Sequence, residues 1–101
     1  MFKVVVQKRA SFFLPQWSRI LLCVGDQEGI YASKMMSYVD VSAVTINRQV
    51  LKMVKLGLMT RRVDKRKNGG IQNIYLTDDG KKVYEALLIV RIAIQKIGDV
   101  A

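Results

Sequence analysis

Residues Val39–Thr77 read VDVSAVTINRQVLKMVKLGLMTRRVDKRKNGGIQNIYLT, and their hydrophobic spacing changes partway along. In the first half, Ile46, Val50 and Met53 recur at spacings of three and four, which is typical of a helix with one buried face. From Leu58 the residues favour strands, and the glycines of KRKNGG suit a hairpin tip between two such runs. The segment therefore predicts a helix that ends near Gly57 and is followed by a two-stranded hairpin with a basic tip.

A second, shorter helix is predicted just before this one. Ser42 is a good N-cap for the longer helix, and Ser33 is a candidate cap for the shorter helix through Tyr38. Asp40 tolerates the conformation of a tight turn between them. The predicted buried face of the short helix consists of Met35, Met36 and Val39. Two helices joined by a tight turn make a helix-turn-helix.

Further helices are predicted on either side of this unit. Pro15 fits the first position of a helix that ends near Gly25. Its apolar positions at helical spacing are Trp17, Ile20, Leu21 and Val24. Ile30 and Tyr31 are candidates for a very short strand, and Thr77 or Asp78 caps a last helix that runs to about Ile97. Residues 1–14 are left open as either a short strand or an N-terminal arm.

The chain of 101 residues has the length of one domain. It carries 17 Lys and Arg against 8 Asp and Glu, for a formal charge of +9. Eight of the basic residues and one acidic residue fall between residues 48 and 67. Such clustering favours a polyanionic partner over a merely solvated surface. An anionic membrane is the weaker candidate, because these residues lie on a helix and a hairpin rather than on one amphipathic helix.

Enzymatic and metal-binding functions find little support in the sequence. The chain has no histidine and one cysteine, Cys23, so common catalytic triads and zinc sites cannot be assembled. We therefore predict no catalytic residue, cofactor or metal ligand. Cys23 lies in RILLCVG, where a core position is expected, with an interchain disulfide as the alternative. With no signal peptide or membrane span in the N-terminal residues, a cytoplasmic location is expected.

The order of these elements resembles the winged helix-turn-helix regulators of the MarR and PadR type. The resemblance covers roughly residues 16 to 90 and is carried by VSAVTINRQVLKMVKLGLMTRR, D-K-R in the hairpin and YLTDDGKKVYEAL. Three motifs carry it: a V-S pair that opens the recognition helix, a G-L pair that closes it, and an L-T-x-x-G step that opens the last helix. The recognition helix, here called the reading helix, is the longer helix of the helix-turn-helix, which is capped by Ser42 and ends near Gly57. The three motifs match Val41 and Ser42, Gly57 and Leu58, and Leu76, Thr77 and Gly80.

The resemblance implies a mainly helical α+β fold, a winged helix-turn-helix with a two-stranded basic wing and a long C-terminal helix. The expected divisions are an arm or strand over 1–14, a winged-helix core over 15–77 and a dimerisation helix over 78–97. The extra helices that form a ligand pocket in larger MarR proteins have no counterpart in the sequence, so a small-molecule effector is not expected. The expected source is an archaeon, a bacterium or one of their viruses, which places the protein at the nucleoid or in a host cytoplasm.

The reading helix carries the candidate base-contacting residues. Asn47 can pair bidentately with adenine and Arg48 with guanine, while small apolar groups can contact thymine methyls. An exposed polar helix face without a ligand is the alternative for Asn47 and Thr45. The candidate set on this helix is Ser42, Ala43, Val44, Thr45, Asn47, Arg48 and Lys52.

The wing carries a second candidate set, directed at the DNA backbone or the minor groove. Cations there replace condensed counterions, and arginine suits a narrow groove. The set is Arg62, Lys65, Arg66, Lys67, Asn68 and Gly69. The resemblance implies that Asp64 orients Arg66 through a charge-assisted hydrogen bond. The NGG residues are also explained by the turn alone, without a ligand.

The last helix is apolar over more than one face. One stripe is Val83, Leu87, Val90, Ile94 and Ile97, and a second is Tyr84, Leu88, Ile92 and Ala93. Since a small domain cannot cover both, we expect a homodimer in which Tyr84, Leu88 and Ile92 contact a second copy, with burial in the same domain as the alternative.

The predicted function is a sequence-specific, double-stranded DNA-binding transcription regulator, expected to be a homodimeric repressor. The alternatives are a non-specific architectural or replication accessory protein, and a winged helix that assembles with an acidic protein.

Overall fold

The computed structural model describes residues 14–64 and 71–100 of the chain. These residues form helices α1 (Gln16–Asp26), α2 (Ala32–Val39) and α3 (Ala43–Lys55), strands β1 (Met59–Asp64) and β2 (Ile71–Leu76), and helix α4 (Asp78–Val100). The strands pair antiparallel, and Ile30 adds a single bridge to Ile74. The fold is the predicted α+β winged helix-turn-helix with a long last helix. The predictions for residues 1–13 and for the wing tip, residues 65–70, concern residues outside the described part of the chain.

Helix α1 is central to the core and packs against α2, α3, β2 and α4. Pro15 is its N-cap rather than its first helical residue, and the Pro15 carbonyl accepts hydrogen bonds from the Ser18 backbone N–H at 3.1 Å and the Ser18 hydroxyl at 2.7 Å. The expected positions Ile20, Leu21 and Val24 are fully buried. Trp17 was wrongly grouped with them: it is 39% exposed, although its neighbour Ser18 is fully buried.

The helix-turn-helix forms largely as predicted. Helix α2 begins two residues earlier than expected, because its N-cap is Tyr31 and not Ser33. Met35 and Val39 are buried, but Met36 is 41% exposed, because it lies next to Met35 and so faces away from the core. Asp40 ends α2 in a left-handed conformation with φ of 50°.

Helix α3 follows the sequence closely. The Ser42 hydroxyl accepts a hydrogen bond from the Thr45 backbone N–H at 3.2 Å, which satisfies one of the free donors of the first turn. Ile46, Val50 and Met53 are buried, as their spacing predicts. The opposite face of α3 is therefore available to contact another molecule.

The step from the wing into α4 depends on Thr77 and Gly80. The Thr77 hydroxyl accepts from the Gly80 N–H at 3.0 Å and donates to the Gly57 carbonyl at 2.6 Å. A Cβ atom at Gly80 would collide with the Leu58 carbonyl oxygen, so this position requires glycine. These contacts fix the start of α4 against the end of the reading helix.

Candidate nucleic-acid interface

The outward face of α3 presents most of the predicted reading residues. Asn47, Arg48 and Lys52 are exposed, and Val44 is 68% exposed. Ser42 is exposed as well, whereas Ala43 and Thr45 are half-buried. The Ser42 hydroxyl also donates to the Thr45 hydroxyl at 3.0 Å, so both side chains are engaged at the helix start. The groups available for base contact are therefore concentrated at Val44, Asn47, Arg48 and Lys52.

Strand β1 contributes two arginines on opposite faces. Arg61 lies opposite the buried Ile74 and Arg62 opposite Asn73. The Arg62 guanidinium carbon is 4.6 Å from the centroid of the Tyr75 ring, a distance at which the cation and the ring attract each other. This stacking directs Arg62, one of the predicted wing residues, along the outer face of the hairpin.

Arg61 is a candidate site residue that was not among the predicted sets. It lines a cleft of about 360 Å³ together with Ala43 and Asn47 of α3 and Ser33 of α2. The signal lay in the alternation of the strand: Met59 points inward, so Arg61 is on the same face and is directed toward the reading helix. The cleft thus brings a wing cation next to the side-chain amide of Asn47, a predicted base-contacting residue.

The predicted tip residues cannot be placed in the same way. Lys65, Arg66, Lys67, Asn68 and Gly69 lie outside the described residues, and their roles stay predictions. Among the described residues, no carboxylate forms an ion pair with Arg48 or Lys52. Both side chains project into solvent from the face that a ligand would meet.

The predicted dimer residues occupy three different environments on α4. The Tyr84 hydroxyl donates to Asp26 at 2.6 Å, and Leu88 packs beside Leu22 and Ile94. Ile92 is 48% exposed. Other apolar side chains are also open to solvent: Ile89 is 72% and Val90 42% exposed. The exposed apolar face of α4 is thus made mainly of Ile89, Val90 and Ile92.

An ion pair joins α4 to α1 inside the fold. Arg91, the single charged residue in the apolar stretch of residues 87–94, is buried and contacts Asp26 at 2.7 Å. Burial and the hydrogen bond to Asp26 raise the pKa of Tyr84. Burial alone lowers the pKa of Arg91, but its hydrogen bond to Asp26 and the charge of that carboxylate outweigh burial and raise it. Sequence patterns could not reveal this pairing, because the partners are 65 residues apart.

The described residues contain no helix long and apolar enough to cross a membrane and no group of side chains suited to a metal ion. No protein-family model matches the chain, and no curated protein matches it in sequence. Solved structures do match. The chain is similar to the transcriptional regulator SlyA, with a TM-score of 0.74 and 19% identity, covering 95% of this chain and 68% of SlyA.

Two further solved structures are informative. A Staphylococcus aureus MepR mutant bound to an oligodeoxyribonucleotide gives a TM-score of 0.65 at 18% identity, covering 95% of this chain and 72% of that one. PcaV from Streptomyces coelicolor, in complex with its natural ligand, gives a TM-score of 0.68 at 26% identity. The match covers 83% of this chain and 58% of PcaV.

The helix-turn-helix, the hairpin beside it and these matches place the protein in the winged helix-turn-helix class. The three matched structures are MarR-family transcriptional regulators, so the fold is of the MarR type and the predicted resemblance is confirmed. The chain spans only 58% of PcaV, the one of the three that contains a natural ligand. A bound ligand on this fold removes the support for expecting no small-molecule effector, and we do not retain that expectation.

Proposed function

We propose that this protein is a sequence-specific, double-stranded DNA-binding transcription regulator that acts as a homodimeric repressor. The observation that carries the proposal is the surface shared by α3 and β1. Asn47 and Arg61 line one cleft, and Arg48 and Lys52 are exposed on the same helix. Side chains that can form bidentate hydrogen bonds with base edges therefore lie next to cationic side chains that can contact phosphates. DNA recognition requires this combination.

The geometry of α3 suits the major groove of B-form DNA. The groove is about 12 Å wide and admits one helix, whose exposed face can then reach the base edges. Arg48 would pair with guanine and Asn47 with adenine, and the 68% exposed Val44 would contact a thymine methyl group. The N-terminal half of α3 would read the sequence.

The wing would supply affinity rather than sequence preference. Arg61 lies beside the reading helix, where the sugar-phosphate backbone bordering the groove would pass, and Arg62 is stacked on Tyr75 on the other face of the hairpin. The predicted tip cations would extend the contact to the flanking backbone or the minor groove. The MepR structure with an oligodeoxyribonucleotide supports a nucleic-acid partner for this fold.

The homodimer is supported by the exposed face of α4. Ile89, Val90 and Ile92 are 42 to 72% exposed on one helix, and burying them against the same face of a second copy would remove apolar surface from water. The dimer would present two α3 helices to one duplex. A repressor would then act by occupying a site with two-fold symmetry.

Salt dependence of duplex binding tests the proposal. If a dimer neutralises about eight phosphates, log affinity should fall with log salt at a slope near −7, measured by anisotropy of a labelled duplex. A slope shallower than about −2 on the preferred duplex would contradict binding through the backbone. Equal affinity for all duplexes would instead favour a non-specific architectural protein.

A further inference from the structure

The junction of α1 and α4 holds a polar cluster that the proposed DNA contacts do not use. One carboxylate, that of Asp26, accepts three hydrogen bonds. Its Oδ1 accepts from the Tyr84 hydroxyl at 2.6 Å and from Arg91 Nη2 at 3.1 Å, and its Oδ2 accepts from Arg91 Nη1 at 2.7 Å. The side chains of the ion pair are only 9% and 10% exposed. We call Asp26, Tyr84 and Arg91 the junction cluster.

The junction cluster fixes α4 in two directions. Tyr84 and Arg91 are seven residues apart, about 10 Å along the helix axis, yet both end on the same carboxylate. Rotating α4 or sliding it along α1 would break at least one of these bonds. The neighbouring contacts of Leu14, Leu22 and Ile94 are apolar and have no preferred direction. The register of α4 on α1 is therefore set by the cluster.

This register extends to the reading helix through α1. Helix α1 packs against both α3 and α4, whereas α4 meets the described part of the fold mainly through α1 and β2. The Tyr84 ring also lies directly over Gly25, where a Cβ atom would collide with it. Because Thr77 and Gly80 hold only the start of α4 against the end of α3, a change in the angle between α1 and α4 would pivot α4 about that point and change the angle between α3 and α4.

We propose that the junction cluster determines the half-site separation the dimer accepts, by fixing each reading helix relative to the helix that contacts the second copy. This inference rests on the proposed dimeric DNA-binding function. Each added base pair rotates one half-site by about 34° relative to the other, so a dimer with rigid junctions accepts few separations. If the junctions were loose, the two reading helices of the dimer would bind duplexes with several different half-site separations.

Two variants of the junction cluster test this role. Asp26→Leu with Arg91→Met removes both charges and leaves apolar side chains of similar size, an exchange that buried ion pairs often tolerate. Tyr84→Phe removes one hydroxyl and keeps the ring over Gly25. The control makes the same exchange, Asp79→Leu with Lys82→Met, at an ion pair of 3.7 Å on the same helix whose side chains are 74% and 79% exposed.

The measurement is affinity for duplexes whose two half-sites differ in separation by single base pairs. Wild type and control should prefer the best separation over its neighbours by about tenfold, equal to about 1.4 kcal/mol. The double cluster variant should flatten this preference to about twofold, and Tyr84→Phe should flatten it partly, while affinity for one half-site stays within about twofold.

The outcomes separate the two proposals. If wild type shows no preferred separation, the dimeric DNA-binding function itself is wrong. If wild type has a preference and the folded variants keep it, only the role of the junction cluster is overturned. If the double variant fails to fold, the separation preference of Tyr84→Phe alone tests the role of the junction cluster.

The distance between the two reading helices, measured without DNA, is a second test of the junction cluster. Spin labels at Lys55→Cys in the two copies report the distance between their reading helices. The double variant, or Tyr84→Phe if the double variant fails to fold, should broaden the distance distribution. An unchanged distribution would also overturn the role of the cluster.

Discussion

Arg48 and Arg91 are the same residue type in opposite surroundings. Arg48 projects from α3 into solvent, and among the described residues no carboxylate pairs with it. Arg91 lies between α4 and α1, where Asp26 receives two of its N–H groups. The N–H groups of an exposed arginine remain available to a ligand, whereas those of a buried arginine donate to groups within the fold. The comparison separates the surface proposed to bind DNA from a junction that stabilises the fold.

The largest expected effect is on the junction. Arg91→Ala should lower the free energy of unfolding by about 3 to 5 kcal/mol, because it leaves the Asp26 carboxylate buried without its partner. Lys82→Ala, at the exposed ion pair of the same helix, should cost at most about 0.5 kcal/mol. Urea denaturation of both variants measures the difference. Similar values for the two would show that burial does not distinguish these ion pairs.

The next effect concerns the exposed apolar face of α4. Ile89→Glu with Ile92→Glu should give a folded monomer, because charges on this face prevent two copies from packing together. Affinity for a two-half-site duplex should fall by about 10² or more, since the second half-site no longer binds as part of the same molecule. Sedimentation and circular dichroism measure size and fold. A wild type already monomeric at tens of micromolar would remove the basis for the dimer.

Arg48→Ala tests the binding surface directly. It should lose about 1 to 3 kcal/mol per half-site on the preferred duplex and relax the preference at one base pair in each half-site, because the guanine contact is removed. Its unfolding free energy should change by no more than about 0.5 kcal/mol, in contrast to Arg91→Ala. Binding titrations on duplexes that differ at single base pairs measure this. Loss of stability without loss of base preference would place Arg48 among the structural residues.

The smallest effect is expected at Arg61. Arg61→Ala should weaken binding to all sequences alike and make the salt slope shallower by about 1.8, because each of the two copies in the dimer loses one phosphate contact. Lys67→Ala at the wing tip should behave in the same way. A change of base preference at Arg61 would instead assign it to the reading surface, as its place beside Asn47 would permit.

Local patterns predicted the reading helix well. Ser42, Ile46, Val50 and Met53 take their predicted positions, because capping and burial in α3 depend on spacing within one helix. The hairpin and the Thr77 cap were predicted for the same reason. Trp17 was wrongly assigned to the core because helical spacing shows which residues share a face but not how fully each side chain is covered.

The junction could not be predicted from these patterns. Arg91 is a single charge in an apolar stretch of the sequence, and it lies on the inward face of α4 because Asp26, 65 residues earlier, neutralises it. The outward face of α4 consequently contains Ile89 and Val90, which were not among the predicted contact residues. Contacts between distant elements decide which side of an apolar helix faces outward.

Selection of bound sequences from a random duplex library at near-physiological salt tests the central claim most directly. The account predicts a two-fold symmetric consensus whose half-sites are centred about one helical turn, roughly 34 Å, apart. It also predicts that Arg48→Ala degrades one base pair in each half-site. An absence of enrichment, or a single unpaired half-site, would contradict a dimer that reads DNA through α3.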